Sequence, residues 1–321
     1  MERKENRMKL ITFEEIKSLG ITPEMSYEWI DYVLRNRDRF ILPTKVKIPL
    51  DGSDYCNLMP CAMPDEKYFG IKVINRSERR HKQGGLNLDS QILLYNYETS
   101  NLEAILDGNY ITTIRTATVA VHTIINLAKD FSVLSMLGLG NIGVSIGDIL
   151  FRLTKDRHYT VKLLRYKNHA ERFIERFHEY KNIEFVICND YDSLMQGSDL
   201  VVSSVTYANA DFCDPSVYKA GCTIIPVHMR GFMKCDLSFD HIIVSDMVRA
   251  KEFKYFKSYK KVSLTDDVLL GKVNVREKPD ERVLIYNLGL AITDIYFASK
   301  IVKMINGKEI NDLNPMSPFY I

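Results

Sequence analysis

Three glycines in the run Gly138-Leu-Gly140-Asn141-Ile142-Gly143 have the spacing of a turn that wraps a pyrophosphate. In such a turn the first glycine makes the sharp bend. The second lets the backbone approach the phosphates, and the third lets helix and strand pack closely. The helix that follows presents unpaired N–H groups and a positive dipole end to the anion. The chemistry served would be hydride transfer by a nicotinamide dinucleotide. A second pair of residues suits a carboxylate. Arg115 offers a planar fork that can make two parallel hydrogen bonds, and the sequence places it in the first turn of a helix, where the dipole favours an anion. Lys72 lies between Ile71 and Val73 in an apolar strand. Its amine is either at a sheet edge in water or buried with a depressed pKa. The buried state suits holding a carboxylate or moving a proton.

The patterning around these groups indicates what positions them. A lone Gly-x-Gly-x-x-Gly is weak, because a chain with 16 glycines forms such triplets by chance. Here the run follows an apolar strand, FSVLSMLGLG, and opens an amphipathic helix, IGVSIGDILFRL, inside an alternating series of strands and helices. YTVKLLRY, IEFVIC, DLVVSSV, GCTIIPV and HIIVSD supply further strands. A parallel, doubly wound sheet is expected, and the nucleotide reading is favoured over a structural glycine turn. Near Val283 the pattern leaves this sheet for a last helix, from about Gly289 to Ile305. Upstream, Thr12-Phe-Glu-Glu15 is a capping box, and Thr22-Pro23 opens a helix that runs to about Arg37. Four short alternating runs between Thr44 and Asn109 indicate a mixed or antiparallel sheet. Thr113 is expected to cap the helix that carries Arg115. The fold class is therefore α/β: a Rossmann-type doubly wound parallel sheet over residues 121–287, plus an α+β domain built from residues 8–120 and 288–321.

Sites that prefer NAD usually place an acid at the end of the second strand, ~20 residues past the glycines. Leu164-Arg165-Tyr166-Lys167-Asn168 holds none. Arg165 and Lys167 would pair with a 2′-phosphate, so NADP is favoured over NAD. The alternative is that Arg165 stacks on the adenine or faces solvent.

Four separated stretches together resemble the ornithine cyclodeaminase/μ-crystallin family. FGIKVIN (Phe69–Asn75) is similar to the strand bearing that family's active-site lysine, at Lys72, and LDGNYITTIRTATVAV (Leu106–Val121) to its arginine motif, at Arg115. GLGNIG occupies the nucleotide-loop position, and YNLGLAITDIYFA (Tyr286–Ala298) resembles the C-terminal helix, including Asp294. The likeness extends in order from about Met8 to Ile305. It implies NAD(P)-dependent chemistry at an amino-acid C–N bond, with an N-terminal substrate-binding domain that forms a homodimer, followed by a Rossmann domain. Lys45 falls where the family commonly has a carboxylate-binding arginine, and lysine keeps the charge without the fork.

Cyclodeaminases also carry an aspartate in the loop that corresponds to Ile224–Leu237. Here the loop reads Val227-His228-Met229-Arg230-Gly231, with no carboxylate before Asp236, which argues against ornithine cyclodeamination. His228, following a strand of the parallel sheet, would lie near the nicotinamide. With an unperturbed pKa of ~6.5 it would replace the missing acid/base, or else be a loop histidine satisfied by hydrogen bonds. Arg230 would add a second anion contact. The resulting expectation is an oxidoreductase acting on the C–N bond of an amino acid or its imine. Lys72 and His228 are its catalytic candidates, and Lys45, Lys72, Arg115 and Arg230 its substrate contacts. Cofactor contacts are expected at Gly138, Gly140, Asn141, Ile142, Gly143, Thr116, Arg165, Lys167, Val205 and Thr206. The alternatives are a cyclodeaminase-like ammonia lyase and a non-catalytic nucleotide-dependent binder.

A formal net charge of +2 over 321 residues gives no electrostatic ground for a nucleic-acid partner. The basic clusters Arg76–Lys82 and Lys251–Lys261 fit solvated surface. No run supplies the ~20 apolar residues of a membrane span, and the start lacks a signal-peptide core. Six cysteines show no metal-binding spacing. These features point to a cytoplasmic protein with reduced thiols and no metal, acting on a small amino-acid-like molecule.

Overall fold

A computed structural model describes residues 7–128, 130–205, 208, 210–227, 232, 234–305 and 307–311. The chain runs β1 (Arg7–Ile11), α1 (Phe13–Ser18), α2 (Pro23–Arg35), β2 (Val46–Pro49), β3 (Tyr55–Met63), β4 (Tyr68–Arg76), α3 (Glu78–Lys82), β5 (Leu88–Asn96), β6 (Leu102–Asp107) and α4 (Asn109–Leu127). Then follow β7 (Val133–Leu137), α5 (Asn141–Leu153), β8 (Tyr159–Leu164), α6 (His169–Arg176), β9 (Ile183–Cys188), α7 (Tyr191–Met195), β10 (Leu200–Ser203) and β11 (Thr223–Pro226). The last elements are β12 (His241–Val244), α8 (Met247–Ala250), β13 (Val262–Leu264), α9 (Thr265–Leu269), β14 (Val283–Tyr286), α10 (Ala291–Met304) and β15 (Lys308–Asn311). They form two compact units. One comprises the chain up to Thr22, Asn36–Arg115 and the segment from Leu290. The other comprises Pro23–Arg35 and Thr116–Gly289. Helix α2 therefore packs in the second unit, against α5 and α9, although its sequence position groups it with the first.

The first unit is a seven-stranded mixed sheet in the order β15-β1-β6-β5-β4-β3-β2, antiparallel except between β1 and β6. Helix α10 covers β3, β4 and β5. Gly70 lets it close in, since a Cβ there would meet Ile295 at 3.2 Å and the Leu93 carbonyl oxygen at 2.6 Å. Strand β3 is absent from the patterned runs because Pro60 interrupts them. The sheet tolerates this proline because the register with β2 ends at Leu58. The capping box at Thr12 and Glu15 is present.

Helix α4 begins at Asn109, not at Thr113. Asp107 caps it, accepting from the Asn109 and Tyr110 amides at 2.9 and 3.1 Å, while the Thr113 hydroxyl bonds back to the Asn109 carbonyl at 3.0 Å inside the helix. Arg115 consequently sits in the second turn, so most of the expected contribution from the helix dipole is lost.

The second unit is an eight-stranded, wholly parallel sheet in the order β13-β12-β14-β11-β10-β7-β8-β9. Strands β10, β11, β12 and β14 are buried along their whole length, and β7 everywhere but at Val133, as parallel strands covered on both faces must be. Val283–Tyr286, expected to lie outside this sheet, is its strand β14 and inserts between β11 and β12. On one face α5 is anchored by Phe151, whose ring meets Phe173, Phe177 and Phe185 edge-on. All six cysteines are free thiols. No described helix is long and apolar enough to cross a membrane.

Candidate active site

Lys72 lies on an inner strand, not an edge. Its neighbours in register are Met59 on β3 and Ile92 on β5, both buried, and the lysine itself is 1% exposed. An ammonium in that position needs a partner, and α10 supplies one. Lys72 Nζ donates to Asp294 Oδ1 at 2.7 Å, and Arg115 Nε donates to the same oxygen at 2.9 Å. Asp294 is fully buried, and its Oδ2 has no hydrogen-bond partner among the described residues. Burial lowers the Lys72 pKa from 10.5 to about 8; Asp294 pulls it up, and the Arg115 and Lys45 charges push it further down. Two buried cations thus share one carboxylate, with Lys45 close enough to be felt. The cluster is short of negative charge. Beyond Nε, the Arg115 guanidinium makes no hydrogen bond to the described residues, so the Nη fork stays available to a planar anion.

In the second unit the glycine run forms the turn from β7 into α5. Gly138 adopts φ +84°, and a Cβ there would lie 2.5 Å from the Ser204 carbonyl carbon and 2.6 Å from the Val205 amide nitrogen, just past β10. Only glycine fits that conformation and approach. At Gly143 a Cβ would strike the Gly138 carbonyl oxygen at 2.3 Å, which keeps the helix against the turn. Gly140 differs: among the described residues nothing lies within 4 Å of its Cβ position, and as the N-cap of α5 it brings no side chain to the first turn. The first and third glycines are filled by the protein's own backbone, and the second faces open space. This is the arrangement that lets a pyrophosphate approach the backbone.

Gly140→Ala is therefore expected to cost no more than about 1 kcal/mol in stability, since its φ of −84° suits alanine, yet to weaken dinucleotide binding at least tenfold. Thermal unfolding and NADH titration of the same variant check this; unchanged NADH affinity would remove the phosphate role of the turn.

Of the other candidates, Arg165 and Lys167 follow the end of β8, the strand beside β7, and Thr116 lies on α4. His228, Arg230 and Thr206 lie outside the described residues. The sequence offered no reason to single out Asp236. It is 1% exposed, and its two oxygens accept from the hydroxyls of Tyr259 at 2.5 Å and Tyr286 at 2.7 Å. Burial raises its pKa to about 7 against the pull of those two donors. Nor did the sequence reveal the pairing of Asp294 with Lys72, whose two members stand 222 positions apart.

A parallel sheet whose first strand ends in an open glycine turn defines a dinucleotide-binding protein of the doubly wound class. The chain matches the ornithine cyclodeaminase/mu-crystallin family over residues 13–309, and it belongs to that family. Among curated relatives it is 25% identical to N-((2S)-2-amino-2-carboxyethyl)-L-glutamate dehydrogenase of Staphylococcus aureus, over 71% of this chain and 70% of that one. Among solved structures its fold is similar to an archaeal alanine dehydrogenase dimer with bound NAD (TM-score 0.82, 20% identity, 95% of this chain and 99% of that one). It is also similar to Thermococcus litoralis Δ1-pyrroline-2-carboxylate reductase in complex with NADH and L-proline (TM-score 0.78, 18% identity, 92% and 97%).

Proposed function

We propose that the chain is an NAD(P)-dependent oxidoreductase acting on the C–N bond of an amino acid or its imine, in the direction of imine reduction. The observation that carries this reading is the buried Lys72–Asp294–Arg115 cluster, with more positive than negative charge and an arginine fork left open. A substrate α-carboxylate supplies the missing anion. Arg115 would orient it through two parallel hydrogen bonds, and Lys72 and Lys45 would add charge. A lysine whose pKa lies near 8 also gives up its proton far more readily than an ordinary one.

A bound nicotinamide dinucleotide would supply the hydride, its pyrophosphate held at Gly138, Gly140, Asn141, Ile142 and Gly143, with Thr116, Val205 and Thr206 beside it. His228 is assigned the proton of the imine nitrogen, and Arg230 a second anion contact. Family relatives support the same chemistry: the curated name of one is an amino-acid dehydrogenase, and that of another is Δ1-pyrroline-2-carboxylate reductase. Reduction is preferred to cyclodeamination because the loop carries no carboxylate before Asp236, and both Asp236 oxygens are already taken by tyrosine hydroxyls. A homodimer formed through the first unit fits the exposed apolar residues Val46 and Ile48 on its outermost strand, β2.

The deciding experiment follows NADH and NADPH oxidation with Δ1-pyrroline-2-carboxylate and, separately, with pyruvate plus ammonia. Turnover of at least one imine is expected. Nucleotide binding without turnover across a broad imine panel would leave a binding protein in place of an enzyme.

A further inference from the structure

The end of β8 carries a charge arrangement that the strand sequence does not disclose. Arg165, the first residue beyond the strand, is held from two sides. Its Nε donates to Asn189 Oδ1 at 3.0 Å, just past β9, and its Nη1 to Glu171 Oε1 on α6. The Arg165 amide also donates to the Cys188 carbonyl at 2.8 Å, so both backbone and side chain are fixed at this corner. The two charged side chains remain 48% and 44% exposed, open to a ligand. Lys167 adopts a left-handed backbone (φ 52°), with its Nζ 5.5 Å from the ring centre of the exposed Tyr166. In a doubly wound sheet this corner faces the adenosine ribose. An acid there accepts from the 2′-hydroxyl of NAD, and free cations there pair with the 2′-phosphate of NADP.

We propose that Glu171 selects the dinucleotide, its carboxylate clamped by Arg165 so that it accepts from the NAD ribose and opposes the NADP phosphate. The acid missing from the strand end is supplied from the next helix. The expectation of NADP treated Arg165 as a cation without a counter-ion; the structure gives it one. Glu171 acts twice, by repelling a 2′-phosphate directly and by occupying the guanidinium that the phosphate would need. An exposed ion pair of this kind is weak, so a phosphate dianion competes for Arg165 and the selection amounts to about tenfold rather than exclusion. This inference rests on the nucleotide reading given above.

The test is titration of wild type, Glu171→Gln and the double variant Glu171→Gln/Arg165→Ala with NADH and NADPH, followed by nicotinamide fluorescence. Wild type is expected to favour NADH. Glu171→Gln should shift the ratio of the two Kd values about tenfold toward NADPH, and Arg165→Ala added to it should reverse most of that shift. A wild type that prefers NADPH, or a ratio that moves less than twofold in Glu171→Gln while both nucleotides still bind, overturns the proposal and leaves the nucleotide reading intact. If wild type binds neither nucleotide, that reading fails and the proposal with it. The half-exposed position of Glu171 makes misfolding no obstacle, and Glu171→Ala, which removes the same charge, serves as the second variant.

Discussion

Replacing Asp294 with alanine is expected to destabilise the protein by about 3–5 kcal/mol, the range found when one partner of a buried ion pair is removed. The reason is specific to this cluster. Asp294 Oδ1 is the shared acceptor for Lys72 and Arg115, so its loss leaves two like charges facing each other without a counter-ion in a region almost closed to water. Adding Lys72→Met should recover part of the loss, because it removes one of the stranded charges and replaces it with an apolar chain of similar length. Thermal or urea unfolding of the single and double variants decides the matter. A single variant within 1 kcal/mol of wild type would mean that water reaches the cluster, and the case for a desolvated anion site would fall.

The second large effect concerns binding. Arg115→Lys keeps the charge but loses the fork, and should raise KM for the carboxylate substrate by about 10- to 100-fold with a smaller change in kcat, as expected when binding common to ground and transition states is removed. The pH dependence carries a sharper signature. As pH rises through about 8, Lys72 loses its proton, and KM should climb roughly tenfold, the Arg115 fork retaining the rest of the affinity. Stability moves the other way. Lysine in the unfolded chain stays protonated up to its ordinary pKa of 10.5, so between pH 8 and 10.5 the unfolded state holds more protons and the native state gains as pH rises. KM profiles and melting curves recorded over the same pH series check both signs. A parallel rise or fall of affinity and stability would contradict the assignment of this proton to Lys72.

Much of this site is legible in the chain because its signals are local. The glycine turn, the apolar strand before it and the helix after it occupy one short stretch, and their order indicates a doubly wound sheet directly. The state of Lys72 is not legible in that way. Edge and interior lysines have identical neighbours in sequence, and only the pairing of β4 with β3 and β5 settles which one this is. Asp294 was visible as part of a helix but not as a counter-ion, because the contact closes a loop of more than two hundred residues. The start of α4 is obscured for a smaller reason. Asp107 sits two positions before the helix, where a cap is harder to recognise than a threonine followed by an apolar run. The place of strand β14 between β11 and β12 is out of chain order, which no periodicity encodes. The ion pair of Glu171 with Arg165 is equally hidden, because it joins a helix to a strand end and no strand pattern encodes it.

The chain order of the first unit has a consequence for synthesis on the ribosome. Lys72 and Arg115 emerge early, whereas the carboxylate that neutralises both lies on α10, with all of the second unit except α2 translated in between. Until that helix is released, the seven-stranded sheet lacks both its cover over β3 to β5 and its β15 edge, and the two cations repel in a half-built interior. The second unit, nearly continuous in sequence, is placed to fold first, and the first unit must wait for its final segment. A chain truncated after residue 290 and released from the ribosome should therefore carry a protease-resistant core made of the later-encoded unit and an N-terminal region still open to cleavage.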